Sequence, residues 1–244
     1  MVSTQAALRV VVPEELRDWV DNRLISAHIR MVRLIVLGTV LNAAVITLGL
    51  IGQMPPLLIA LFVSSMVAAC LHRLWLAEGI ERGRRRRRTA KIMLAFMLNS
   101  LWLGLTIGVL MALWLPRLPA GVQLLLTVCT LSQIASAAYM VRTLPRSALI
   151  YIAAQACGLG LGLAQLGTLS ALGTIAVLAV ASALLVRMTY IARDMFVSRI
   201  LTHRDLHSAA RTVKLLLNEF EESGSDWLFE LDHQHQLTNV SIIC

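Results

Sequence analysis

Charge is missing from most of this chain. Only 15% of its 244 residues are Asp, Glu, Lys or Arg, and 57% are hydrophobic, whereas an average soluble domain is about 25% charged. That balance excludes an ordinary water-soluble enzyme or binding domain. Cysteine is scarce as well. Cys70, Cys129, Cys157 and Cys244 have no C-x-x-C spacing, which excludes a disulfide framework and a cysteine metal centre. The first three fall inside apolar runs and read as small packing groups in a reducing context. P-loop, nucleophile-elbow and metal-cluster motifs are also absent, so neither catalysis nor a cofactor is expected.

What the chain has instead is long apolar runs. Leu34–Gly52, Pro55–Leu71, Ile92–Leu115, Leu118–Val141, Ser147–Leu166 and Leu169–Val186 hold no charged residue in their interiors. Each approaches the roughly 20 residues that a membrane span requires. The first starts too late and runs too long for a cleaved signal peptide. An all-α integral membrane bundle of six helices is therefore expected over residues 34–186.

The charges that remain set the orientation. Of 22 Lys and Arg residues, 21 fall in the tails and in alternate loops, and only Arg117 falls on the other side. Basic residues mark cytoplasmic segments, so both termini are expected in the cytoplasm. The net charge of +8 suits a nucleic-acid binder in the abstract, but its placement between spans argues against one. Arg84, Arg85, Arg86, Arg87 and Arg88 read as a topology stop that touches anionic lipid headgroups, at about 1 kcal/mol per basic residue.

Residues 1–33 form a tail that includes "VVPEELRDWVDNRLISAHIRM". Pro13, Glu14 and Glu15 suit a helix start, and Leu16, Val20, Leu24, Ala27 and Met31 fall near one face. This helix either lies on the membrane surface or continues into the first span. Trp75, Trp114, Tyr139, Tyr151 and Tyr190 fall near span ends, where amphipathic rings prefer to sit; Trp102 is mid-span and expected to be packed. Short loops make successive helices antiparallel neighbours. Gly104 and Gly108 on the third span, and Ala154, Gly158 and Gly162 on the fifth, are candidate helix-packing positions. Asn42, Asn99, Gln133, Gln155 and Gln165 lie within spans and suit interhelical hydrogen bonds or a pocket for a small ligand in the bundle. No ionisable group falls in mid-span, which argues against a proton pump or transporter; His72 comes nearest.

Residues 187–222 stay helical in pattern. Leu206, Ala210, Val213, Leu217 and Phe220 step in a 4-3 rhythm, the spacing of a coiled-coil seam over two heptads. Arg199 and His203 occupy the equivalent positions upstream. Thr202 and Asp205 match a capping box, so the helix either restarts there or runs through. His203 and His207 are four apart, yet no third ligand stands nearby, so they read as solvated and no metal is expected. Ser223-Gly224-Ser225 stops the helix, and "DWLFELD" and "LTNVS" alternate like two strands around "HQHQ".

The stretch "LLLNEFEESGSDWLFELDHQHQLTNVS" resembles the junction into a PAS sensor domain in alphaproteobacterial membrane-bound cyclic di-GMP signalling proteins. The resemblance covers Leu215 to Ser241. It implies a homodimeric membrane sensory input module at the inner membrane of a bacterial cell, which passes a signal through a helix to PAS, GGDEF and EAL domains. Residues 223–244 would then be the opening of a PAS domain, an incomplete β-hairpin cut short after "IIC". No GGDEF or EAL motif occurs in the 244 residues, so no catalytic residue carries over. The input region of a sensor histidine kinase and a small transporter or channel subunit are the alternative readings.

Overall fold

The computed structural model describes residues 12–82, 89–140, 143–223, 228–231 and 237–241. Arg84–Arg88, Arg142, Gly224, Ser225, the "HQHQ" turn and Cys244 lie outside these residues, as do the side chains of Tyr139 and Phe220. Two compact units divide the chain at Val197/Ser198.

The first unit is built from helices α1 (Glu14–Leu50), α2 (Pro56–Glu81), α3 (Thr89–Trp114), α4 (Ala120–Met140), α5 (Pro145–Ala164) and the first part of α6 (Leu169–Ser223). All six are long and apolar enough to cross a membrane, which makes this a multi-pass membrane protein. Their boundaries follow local chemistry. Pro56 and Pro145 occupy first-turn positions, where a missing N–H costs nothing. Gly52 and Gly167 turn the chain with φ of +78° and +63°, a conformation that suits glycine just past a helix end. Large apolar side chains such as Leu48, Leu57, Leu98, Leu124 and Leu172 remain exposed. Water would penalise such a surface, whereas lipid solvates it.

The core lies in two connected regions. At the end of the bundle that carries Gly52, Ile46, Leu50, Met111, Leu115, Leu159 and Leu163 pack together. At the opposite end, Ile25, Ile29, Val32, Leu76, Phe96, Leu144 and Ala148 form the second cluster. Helix α6 is mostly uncovered in its apolar part, and it buries Ala171, Leu178, Thr189 and Val197.

Helix α1 runs unbroken from the N-terminal segment into the first span, which settles the choice between a surface helix and a continuous one. Its buried face comprises Val20, Leu24, Ile25, His28, Ile29 and Val32. Ala27 and Met31, expected on that face, are only partly buried. The stripe drifts because its steps of 4-4-3-4 run, on average, ahead of the helical repeat of 3.6 residues per turn. Three further expectations are corrected. Tyr151 is buried rather than interfacial, Trp102 is 42% exposed rather than packed, and Cys157 is exposed. In lipid, an outward ring or thiol has no hydration to seek, so apolar character alone leaves its direction open.

The tightest packing is between α3 and α5. A Cβ on Gly108 would stand 2.5 Å from the Ala154 carbonyl oxygen, and one on Gly158 would land on the Gly108 backbone. One on Gly162 would meet the Met111 carbonyl, while Gly104 faces Ala154 and the Tyr151 backbone. Gly104, Gly108, Ala154 and Gly158 thus meet one another within the bundle, and Gly162 packs on Met111 and Leu115 of the same partner segment.

In the second unit, α6 continues as a helix to Ser223 with no restart at Thr202. Strands β1 (Leu228–Leu231) and β2 (Leu237–Ser241) pair antiparallel, with Phe229 opposite Val240 and an irregularity between Glu230 and Leu231.

Substituting Gly158→Ala should lower the unfolding stability of the detergent-solubilised protein by about 1–3 kcal/mol, the usual cost of overpacking. Gly160→Ala, on the same helix but facing open space, should leave it unchanged or slightly raised. Equal midpoints for the two variants would remove the close crossing from the account.

Candidate functional site

Buried polar groups single out the site, because lipid and apolar core offer them nothing. Arg73 is the extreme case. It is 3% exposed, although it follows the second apolar run and reads in the sequence as a loop cation. Helix α2 continues through it to Glu81 and buries Phe62, Met66, Ala69, Cys70, Arg73, Leu76 and Ala77. Arg73 therefore falls in helical phase with the inward face. That phase was the available signal, and ending the helix at the first charge hid it.

The Arg73 Nη2 atom lies 3.5 Å from His28 Nε2, and His28 Nδ1 lies 3.3 Å from Thr143 Oγ1. Guanidinium only donates, so His28 accepts at Nε2 and is a neutral imidazole that donates from Nδ1 to Thr143. The Phe96 ring meets His28 edge-on at 4.9 Å. This node ties α1, α2 and the α4–α5 connection together at one end of the bundle. Arg73 Nε has no hydrogen-bond partner, and among the described residues no carboxylate pairs with the guanidinium.

A second network follows the α2–α3 seam. Asn99 donates from Nδ2 to the Ala69 carbonyl at 2.9 Å and lies 3.3 Å from His72 Nδ1. His72 consequently accepts at Nδ1 and carries its proton on Nε2, the opposite tautomer to His28. Its ring stands 6.1 Å from that of Trp75 and 6.4 Å from that of Trp102. Trp102 Nε1 donates to Ser65 Oγ at 3.0 Å, Ser65 lies 3.0 Å from Thr106 Oγ1, and Thr106 donates to the Trp102 carbonyl at 2.9 Å. Since Thr106 spends its proton on that carbonyl, Ser65 is the donor to Thr106, and the three groups close a ring.

These groups line part of an apolar groove of about 610 Å³ between α2 and α3, which also includes Leu98, Leu110 and Trp114. None of the in-span amides considered from the sequence for a small-ligand pocket lines this groove. The other in-span amides join helices: Gln155 Nε2 donates to Gln133 Oε1 at 3.0 Å, Gln165 to the Ala112 carbonyl at 2.7 Å, and Asn42 to the Cys129 carbonyl at 3.4 Å.

In the second unit, Leu206, Ala210, Val213 and Leu217 are all exposed, as are His203 and His207. No group of three or more His, Cys, Asp or Glu residues suited to a metal ion occurs among the described residues.

Replacing Arg73 with Met should leave stability unchanged or raise it by about 1–4 kcal/mol, because an apolar chain of similar length removes a buried charge that lacks a carboxylate. Replacing His28 with Ala should lower it, because the guanidinium then loses its acceptor. Thermal unfolding of both variants in one detergent checks the pair; destabilisation by Arg73→Met would mean the charge is compensated. Comparison with protein families, with curated proteins and with solved structures gives no match for this chain.

Proposed function

We propose that this chain is a membrane-embedded sensory input module of the cyclic di-GMP signalling type, with both ends on the cytoplasmic face of a bacterial inner membrane. One observation carries the reading: α6 leaves its apolar stretch and continues as a single helix to Ser223, after which two antiparallel strands follow. A continuous helix is a stiff connection between a membrane bundle and whatever is attached at its far end, and a signal needs such an element with two arrangements. The strands are the opening of a PAS domain in this reading, and cyclic di-GMP synthesising or degrading domains are its output.

The Arg73–His28–Thr143 node is the part of the bundle best suited to two arrangements. It joins three segments through one weakly satisfied cation, so a small shift in helix packing changes its energy by more than it changes an apolar contact. Signal transfer then requires the second unit to pair with a second copy. The exposed seam of Leu206, Ala210, Val213 and Leu217 continues in sequence to Phe220 and supplies the apolar face for a parallel homodimer. Arg84–Arg88 hold the inner side of the bundle against anionic headgroups.

The orientation is checked by fusing a phosphatase that is active only outside the cytoplasm to each terminus. Both fusions should be inactive, and an active one overturns the topology. In a cysteine-free background, Val213→Cys should form an intermolecular disulfide in oxidised membranes, whereas Arg211→Cys, off the seam, should not. In a version that continues into output domains, deletion of Leu206–Phe220 should abolish regulation; an unchanged stimulus response sinks the transmission role of α6.

A further inference from the structure

The exposed pair His203 and His207 has a geometry that solvation alone does not require. Their Nε2 atoms converge to 3.2 Å, with ring planes at 83° and centroids 4.4 Å apart. In the metal-free chain one nitrogen donates and the other accepts. A tetrahedral ion with metal–nitrogen bonds of about 2.0–2.1 Å holds two ligand nitrogens about 3.3 Å apart. The two nitrogens therefore already stand at chelating separation, and a small rotation of two exposed side chains aims both lone pairs at one point.

One chain supplies only two ligands there, since no group of three is present among the described residues. The sequence register provides the others. His203 lies three residues before Leu206 and seven before Ala210, so it continues the 4-3 seam upstream of its apolar part. In a parallel two-stranded coil, equivalent core positions face each other across the axis. His203 then meets its copy, and each His207, one turn on and on the same side of its helix, flanks the pair. Ala210 is the next core position on that row, and its small side chain lets the two backbones approach.

We infer that His203 and His207, with the same pair from a second copy, form a four-imidazole site for a divalent transition-metal ion such as Zn²⁺, Ni²⁺ or Co²⁺. Neutral imidazole suits these ions, and an N₄ set without carboxylate or thiolate disfavours Mg²⁺ and Ca²⁺. The site rests on the homodimer proposed above and extends it: the ion clamps the start of the coil, where the seam otherwise turns polar. It makes pairing of the second unit metal-dependent.

The test uses the full chain, purified in detergent without a polyhistidine tag and titrated with Co²⁺ alone. The expected result is the visible absorption of tetrahedral Co²⁺ at one ion per two chains, displaced by Zn²⁺. Substituting His203→Ala or His207→Ala removes two of the four ligands and should each weaken binding by more than the roughly 10–100-fold that loss of an outer-shell partner costs, and the dimer fraction should rise with metal in the parent but not in the variants. Val213→Asp, which keeps both histidines and breaks the seam, should lose the one-per-two stoichiometry. A dimer that binds no Co²⁺, or binds it equally well without the two histidines, overturns the site and leaves the dimer standing. A monomer, whether it binds one ion per chain or none, overturns the dimer and the shared site with it.

Discussion

The contact between the Gly108 and Gly158 backbones holds this bundle in register. In lipid there is no hydrophobic drive between helices, since the tails are as apolar as leucine. Close approach must come from shape, and on α3 and α5 the shape is made by removing side chains. Once these two helices touch backbone to backbone, the others are placed by polar contacts that radiate from them. Helix α3 holds α2 through Asn99 on the Ala69 carbonyl and through the Ser65–Thr106–Trp102 ring. Helix α5 holds α4 through the Gln155–Gln133 amide pair. Helix α1 then closes on α4 through Asn42 and on α2 through His28.

These contacts differ in kind, and the difference separates glue from function. A neutral interhelical hydrogen bond in a membrane protein contributes about 0.6 kcal/mol, rarely more than about 1.7 kcal/mol. Several such bonds fix a geometry without making any one of them indispensable. Arg73 belongs to another class. A buried guanidinium with a neutral histidine as its acceptor opposes the compact state, and an apolar residue of the same length would serve packing better. Its presence on the inward face is the clearest sign that this end of the bundle is built for more than stability.

The spans and their number were legible because a helix in lipid must be apolar along its length, and six uncharged runs leave few alternatives. The small residues of α3 and α5 were legible for the same reason, since glycine four residues apart on a span has few other uses. Arg73 and His28 were not. Arg73 was hidden by ending the second helix at its first charge, and His28 by drawing the face of α1 through Ala27 and Met31, whereas both helices extend past their apolar runs and keep one buried phase. Trp102, Tyr151 and Cys157 escaped because composition reports depth in the bilayer and says little about rotation around a helix axis.

That distinction bears on α6, which carries two kinds of exposed apolar surface. Leu172, Val177, Val180 and Leu184 are uncovered in a stretch free of charge, and lipid suffices to solvate them. Leu206, Val213, Leu215, Leu216 and Leu217 are uncovered too, but among Arg199, Arg204, Asp205, Arg211, Lys214 and Glu219. Those charges exclude a bilayer interior, and a lone two-heptad apolar seam in water gains nothing from staying helical. The helix in this stretch is consequently best stabilised by burial against another helix, and its 4-3 spacing is the one that a second copy of itself satisfies. The same rhythm, followed upstream by one step, puts His203 in register with the proposed seam, where an apolar residue would be expected and the inferred metal site begins.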